Sequence, residues 1–348
     1  MKVLLDFAKK MWPVLAVAAI FLISLLDWVN QNKSQQKAVT QVDFAMNTVI
    51  SYCFYGENAG EALAQCRDLV DEMEHMLSAT WADSDLLKIR DAAGKEPVPV
   101  SKETIALLTR ALSLREETGG RFDVTIGPLV QLWDITGTDP KVPDAQEIEQ
   151  ALRLVGAVPV IDEAAGTVFL PEEGQQIDFG GIAKGYACSK LREICDTYQV
   201  TNGYISLGGN MMVLGETDNL FGIRDPNGGE NAYFAKLSLA GKTMATAGGY
   251  ERYFEAEGKT YHHILNPHTG YPAETDLLSV SVISEDGALA DALSTALFMM
   301  GREEADAYLT KHPEIQAVLA DDAGTVWLYG DIPGFSLHEE AGYRLGTR

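Results

Sequence analysis

The chain has 348 residues, of which 46% are hydrophobic and 22% are charged, a composition typical of a globular protein with a substantial core. Its formal net charge of −23 at pH 7 argues against nucleic-acid binding, because the phosphate backbone would repel so acidic a chain. The same charge argues against binding of the folded body to an anionic lipid surface.

The first predicted element is an apolar segment near the N-terminus. An uncharged run covers residues 11–26, with basic residues before it and aromatic residues at its ends: Lys2, Lys9, Lys10, Trp12 and Trp28. As a helix it would be about 24 Å long, slightly short of a hydrocarbon core of about 30 Å. Because the basic end is retained in the cytoplasm, we predict an uncleaved membrane anchor over residues 1–30 and a folded body outside the cytoplasm. A cleaved signal peptide is the alternative, although no A-x-A-like cleavage site follows the run.

A polar tether over residues 31–41 is predicted to lead into one domain over residues 42–348. Helices are predicted where apolar residues recur at helical spacing, over residues 59–77, 101–118, 144–155, 185–198, 286–300 and 303–311. Strands are predicted over residues 49–55, on both sides of Gly166, between glycine-rich turns from 204 to 278, and in a hairpin over 317–328. Because there is no regular βαβ alternation, the predicted fold class is α+β.

The four cysteines, Cys53, Cys66, Cys188 and Cys195, have no C-x-x-C or Cys/His metal spacing. The last two are seven residues apart in a predicted helix and share a face, a geometry that does not suit a disulfide. We therefore expect all four to be small buried hydrophobic residues.

Three short stretches that lie far apart carry the residues suited to chemistry. Residues 178–185 form a glycine-rich turn before a helix, with Asp178 at its start and Lys184 inside it. In such a turn backbone N–H groups can approach a phosphate, and the positive end of the helix favours an anion.

The other two stretches supply a base and a metal-binding pair. Residues 261–267 contain His262 and His263, and imidazole is the usual general base near neutral pH. Residues 290–295 place the Asp291 carboxylate and the Thr295 hydroxyl four positions apart, on one helical face, as a hard cation such as Mg²⁺ requires. Phosphate cradle, base and metal site are the parts needed for phosphoryl transfer.

These motifs resemble those of the ApbE family, the flavin transferases that move FMN from FAD onto a threonine or serine of a protein. The resemblance extends over nearly all of residues 42–330. Its landmarks occur in family order at residues 46–48, 121–129, 178–185, 206–210, 250–254, 261–267 and 290–295. It implies an ApbE-like, T-fold-related α+β domain.

The resemblance also implies a Mg²⁺ site and an FAD site. Side chains of Asp291 and Thr295 and the carbonyl oxygen of Ala183 would bind Mg²⁺, with Ser294 as a lesser contributor. The implied FAD contacts are Met46, Trp81, Asp123, Asp178 and Lys184.

One histidine of the pair would be the base that activates the acceptor hydroxyl. Adjacent residues on a strand point to opposite faces, so only one of His262 and His263 is expected to act, and His262 is preferred.

Each of these residues also has a purely structural interpretation. Asp291 would be an acid on a helix surface, and Thr295 a hydroxyl bonded back to its own helix. Trp81 would be a core residue, and Asp123 would cap the turn that follows it.

The sequence departs from the family pattern at three places. Asn47 replaces a glycine, residues 246–249 lack a serine-containing turn, and Asn266 replaces an aspartate after the two histidines. The last change weakens any role for an acid that orients the histidines, and none of the three involves the metal pair.

The implied reaction is attack by an acceptor hydroxyl on the FMN-side phosphorus of FAD, with AMP as the leaving group. One alternative is an FAD pyrophosphatase, in which water replaces the acceptor. Another is a non-catalytic FAD-binding protein, against which the intact Asp291/Thr295 pair and the histidines argue. The implied acceptors are subunits of membrane electron-transport complexes.

Overall fold

The computed structural model describes residues 37–215, 220–229 and 231–347. The predicted anchor over residues 1–30 lies outside this part of the chain. Within it, no helix has both the length and the apolar character needed to span a bilayer.

The described residues form seventeen strands and seven α-helices, with an unbroken run of strands between the sixth and seventh helices. The strands are β1 (Val39–Ala45), β2 (Thr48–Tyr55), β3 (Val98–Pro99), β4 (Val160–Asp162), β5 (Thr167–Phe169), β6 (Asn202–Leu207), β7 (Asn210–Leu214), β8 (Leu220–Arg224), β9 (Tyr233–Ser238), β10 (Thr243–Ala247), β11 (Tyr253–Ala256), β12 (Lys259–His262), β13 (Leu277–Ser284), β14 (Gln316–Asp321), β15 (Thr325–Tyr329), β16 (Ser336–Leu337) and β17 (Arg344–Leu345). The helices are α1 (Ala59–Leu77), α2 (Asp85–Asp91), α3 (Lys102–Glu117), α4 (Gly127–Trp133), α5 (Ala145–Leu152), α6 (Ala183–Thr197) and α7 (Gly287–Lys311).

A nine-stranded sheet in the order β1-β2-β6-β7-β10-β13-β14-β15-β17 forms the centre of the molecule. All neighbours in this sheet are antiparallel except the last pair, β15 and β17. Three smaller sheets, β16-β9-β8, β3-β5-β4 and the hairpin β11-β12, lie outside it. The predicted α+β class is confirmed.

Helices cover one face of the central sheet because their apolar residues recur every three or four positions. In α1 this stripe consists of Ala62, Cys66, Val70, Met73 and Leu77, which join one buried cluster with α3, α6 and α7. A second apolar cluster lies between the central sheet and the β16-β9-β8 sheet. The two layers hold the elements that carry the site in fixed relative positions.

Most of the predicted elements are confirmed, including α1 at its predicted bounds and α3 with Ser101 as its N-cap. The two predicted C-terminal helices form α7, which bends where Gly301 has a φ of 71°. All four cysteines are free and buried, as expected. The strand β1 begins at Val39, within the predicted tether.

Candidate active site

The site is built where α6 and α7 cross. Gly185 on α6 and Gly287 on α7 approach so closely that a Cβ atom on either would collide with the carbonyl oxygen of the other. A Cβ atom on Gly185 would also collide with the side chain of Asp291. Two glycines therefore let the N-terminus of α6 lie against the first turns of α7.

Asp291 is held in this crossing by N–H donors on both of its carboxylate oxygens. The Gly185 N–H donates to Oδ2 at 2.9 Å, and the Asn210 Nδ2 donates to Oδ1 at 3.2 Å. The Lys184 Nζ lies 4.0 Å from Oδ2. Asp291 is only 6% exposed, so the contacts fix its orientation in a part of the molecule that excludes most water.

The hydroxyl groups of Ser294 and Thr295 bond back to α7. Both donate to the Asp291 carbonyl oxygen, Ser294 at 2.8 Å and Thr295 at a weak 3.4 Å. Thr295 Oγ1 lies 3.6 Å from the position that a Cβ atom on Gly181 would occupy, so it faces the glycine-rich turn. Ala183, the first residue of α6, lies two positions before Gly185. The structure thus brings Asp291, Thr295 and the start of α6 together.

These donors fit a hard divalent cation. The Asp291 carboxylate, a hydroxyl and a backbone carbonyl are all oxygen ligands of the type that Mg²⁺ prefers. No group of three or more His, Cys, Asp or Glu side chains in the described residues is placed to hold a metal ion. Asn210 Oδ1, on the side chain that holds Asp291, is buried and has no hydrogen-bond partner.

The glycine-rich turn differs from the predicted phosphate cradle. The N–H of Gly180 donates to Asp178 Oδ1 at 2.8 Å, and the N–H groups of Ile182 and Ala183 donate to the Phe179 carbonyl oxygen. Together with Gly185, these N–H groups already have partners inside the protein. The turn folds on itself, and phosphate binding by its backbone N–H groups stays a prediction.

Lys184 is the remaining group of this turn that can attract an anion. Its Nζ donates to the Gly180 carbonyl oxygen at 2.8 Å and keeps further protons for a ligand. Burial raises the pKa of Asp178, while its hydrogen bond from Gly180 and the nearby Lys184 act in the opposite direction. The two predicted contacts, Asp178 and Lys184, therefore lie at one place.

The two histidines lie at the end of the β11-β12 hairpin and make different contacts. His262 Nε2 contacts the Ala273 carbonyl oxygen at 3.0 Å, and its ring meets Phe298 edge-on. His263 Nδ1 contacts the Arg252 carbonyl oxygen at 3.2 Å. A carbonyl only accepts, so both contacting nitrogens are N–H donors and the lone pairs lie on His262 Nδ1 and His263 Nε2.

These contacts favour His263 as the base, in place of the preferred His262. The lone-pair nitrogen of His262 is buried and has no partner among the described residues, whereas that of His263 is not enclosed in this way. The pKa of His263 is lowered to about 4, mainly by burial. The positive charges of Arg252 and Lys184 also lower this pKa, whereas the hydrogen bond to the Arg252 carbonyl raises it. The pKa of His262 is also lowered by burial, without a contribution from Lys184. The charges of Arg252 and Lys184 thus lower the pKa of His263 but not that of His262.

The turn between β1 and β2 is tied to α1 and to the segment before the β11-β12 hairpin. Met46 and Asn47 have φ values of 50° and 57°, as the tightest hairpin turns require. The Met46 N–H donates to Glu74 of α1 at 3.1 Å, and Arg252 donates to the Asn47 carbonyl oxygen at 3.0 Å. Asparagine tolerates this left-handed conformation better than most residues, which explains how the turn forms without the family's glycine.

Trp81 and Asp123 have different surroundings. Trp81 is 46% exposed in the loop after α1 and contacts His75 edge-on at a centroid distance of 3.9 Å, so it is not a core residue. The Asp123 carboxylate instead accepts from Arg115 Nε at 2.7 Å and from the backbone and hydroxyl of Thr125. It caps the short 3₁₀ helix that follows, and a flavin contact for it stays a prediction.

The other two departures have local explanations. Asn266 Oδ1 accepts from the backbone N–H of His268. The rings of His262 and His263 are oriented by backbone carbonyl groups, not by an acidic side chain. The Thr246 hydroxyl lies 2.8 Å from that of Ser281. Sequence reasoning missed the roles of Asn210 and Arg252, although both lie in family landmarks.

A family model, curated relatives and solved structures all point to the same family. The model of the ApbE family matches residues 46–319. A Klebsiella pneumoniae protein named FAD:protein FMN transferase is 39% identical over 74% of this chain and 82% of its own length. One of the same name from Treponema pallidum is 36% identical over 74% of this chain and 76% of its own length. The crystal structure of the Thermotoga maritima ApbE protein has a TM-score of 0.78 at 32% identity, covering 86% of this chain and 97% of that one.

Proposed function

The chain belongs to the ApbE family, and from that premise we propose that it transfers FMN from FAD to a threonine or serine hydroxyl of an acceptor protein. The observation that carries the proposal is the α6-α7 crossing. It places a buried carboxylate, a hydroxyl and a lysine around the turn that the resemblance assigns to FAD.

Asp291, Thr295 and the Ala183 carbonyl oxygen would hold Mg²⁺ at this crossing, and Ser294 stays bonded within its helix. When bound, Mg²⁺ neutralises charge that develops on pyrophosphate oxygens. Lys184 contributes a further positive charge for the phosphates. The exposed face of Trp81 and the Met46 turn are the proposed contacts for the rings of FAD.

His263 accepts the proton of the acceptor hydroxyl through Nε2 in the proposed reaction. A new O–P bond forms between that hydroxyl oxygen and the FMN-side phosphorus, and the bond from this phosphorus to the bridging oxygen breaks. AMP leaves with the bridging oxygen, and the proton passes from His263 to solvent. The Arg252 carbonyl keeps Nδ1 protonated, so that Nε2 carries the lone pair.

One experiment separates this proposal from its two alternatives. The protein is incubated with FAD, Mg²⁺ and a threonine-containing acceptor, and the acceptor mass, free FMN and AMP are measured. Transfer predicts a mass gain on the acceptor equal to the AMP released, and no gain on an acceptor with Thr→Val. Free FMN with an unchanged acceptor would indicate a pyrophosphatase, and unchanged FAD would indicate a binding protein.

We also propose that residues 1–30 anchor the protein in the membrane with the catalytic domain outside the cytoplasm. The support is the sequence alone, with three lysines before the apolar run of residues 11–26. Acceptors in membrane electron-transport complexes would then be within reach of the domain. Membrane fractions washed with high salt should retain the protein with its original N-terminus. A soluble protein whose mature N-terminus lies between residues 30 and 40 would show a cleaved signal peptide instead.

A further inference from the structure

Asn210 is a buried polar residue at a fixed position of the central sheet. It is the first residue of β7, directly after a turn in which Gly208 and Gly209 have φ values of 48° and 85°. Its backbone pairs with Leu207 of β6 and Ala245 of β10. With strands on both sides, the position of its Cα atom is set by the sheet.

Only one end of the Asn210 amide has a partner. Nδ2 donates to Asp291 Oδ1 at 3.2 Å, while Oδ1 is buried without a hydrogen bond from any described residue, and Asn210 is 2% exposed. A buried acceptor without a partner destabilises a fold, so packing does not explain an amide here. What the amide provides is an N–H donor on the carboxylate oxygen that Gly185 does not reach.

We propose that Asn210 is a positioning residue that orients the Asp291 carboxylate for Mg²⁺. With Gly185 on Oδ2 and Asn210 on Oδ1, rotation of the carboxylate would break one of the two bonds. Groups hydrogen-bonded to a metal ligand set its orientation, and their loss commonly lowers metal affinity or activity by about 10–100-fold. This inference rests on the proposed function, in which Asp291 is a Mg²⁺ ligand.

The test is calorimetric titration of Mg²⁺ into the FAD-loaded wild type, Asn210→Ala, Asn210→Ser and Thr243→Val. Serine is too short to reach Asp291, so both Asn210 variants should raise the Mg²⁺ dissociation constant about 10–100-fold. In the transfer assay the Mg²⁺ concentration for half-maximal rate should rise by the same factor, with most of kcat recovered at saturating Mg²⁺. Thr243 is a matched control, because it is fully buried on the neighbouring strand β10 and its hydroxyl also lacks a partner.

Thr243→Val should bind Mg²⁺ as the wild type does. If the Asn210 variants bind Mg²⁺ normally but melt at a lower temperature without metal, Asn210 has a structural role and the inference is overturned. The same conclusion follows if both variants fail to fold. Wild-type protein that binds Mg²⁺ but transfers no FMN would contradict the proposed function and leave the Asn210 result readable. Wild-type protein that binds no Mg²⁺ would contradict the metal site and this inference together.

Discussion

The two halves of the candidate site are built in different ways. The half proposed to bind Mg²⁺ lies where α6 and α7 cross inside the main helical layer, with glycine backbones in contact. The histidine half lies on the β11-β12 hairpin, a two-stranded sheet apart from the central one, and is fixed by backbone carbonyl groups. A crossing of this kind tolerates no added atom, whereas a two-stranded hairpin outside the central sheet is expected to adjust more easily.

The largest expected effect is at the centre of the crossing. Asp291→Asn should reduce transfer at least about 10³-fold, because Mg²⁺ would lose its one charged protein ligand. The matched control is Asp286→Asn at the N-cap of the same helix, where asparagine caps as well as aspartate and activity should persist. Steady-state rates at ordinary Mg²⁺ provide the measurement, and near-normal turnover of Asp291→Asn would remove the metal assignment.

The hairpin half is tested by the paired variants His263→Ala and His262→Ala. His263→Ala should slow transfer about 10²–10⁴-fold with little change in FAD affinity, since a base acts mainly in the transition state. His262→Ala should lose less activity and more stability, because its ring packs against Phe298. The transfer rate, the FAD affinity and the melting temperature of both variants show which histidine is the base. If His262→Ala is inactive and His263→Ala is active, His262 is the base.

Rigidity of the crossing is tested by Gly185→Ala against Gly60→Ala. The Gly185 variant should lose about 1–3 kcal/mol of unfolding free energy and most activity, because its methyl group collides with α7. Gly60 lies in α1 with open space around it, so alanine there should stabilise the helix by about 0.5–1 kcal/mol. Chemical unfolding of both variants gives the comparison, and equal effects would show that the crossing has room to move.

The smallest expected effect is on pH dependence. The pKa of His263 is lowered from 6.5 to about 4, so the ring stays neutral and active well below pH 6. Transfer should therefore fall only as pH approaches 4, and Arg252→Gln should move this fall to higher pH by removing a nearby positive charge. An acid limb near pH 6.5 in the wild type would show that another base acts.

The same shift has a consequence for stability. Because the folded pKa lies below the unfolded value, the unfolded state takes up the proton first as pH falls. Stability present above pH 6.5 should therefore be lost between pH 6.5 and 4, and His263→Gln should flatten that part of the curve.

Sequence patterns predicted local structure well and tertiary contacts less well. Helical spacing gave the bounds of α1, and the predicted helix starts at residues 101 and 144 coincide with the N-caps Ser101 and Asp144. The Asp291/Thr295 pair was predictable because both residues lie on one helix. The role of Asn210 was not, since its partner Asp291 is 81 residues away and the sheet brings them together. The choice between two adjacent histidines depended on distant backbone carbonyl groups, which no local pattern encodes.

The most direct test of the account is the intact mass of a threonine-containing acceptor after incubation with FAD and Mg²⁺, measured side by side for wild type, Asp291→Asn and His263→Ala. The account predicts that the wild type adds one FMN through a phosphodiester and releases one AMP, while both variants leave the acceptor largely unchanged over the same time. An unmodified acceptor with the wild type, or equal modification by Asp291→Asn, would contradict it.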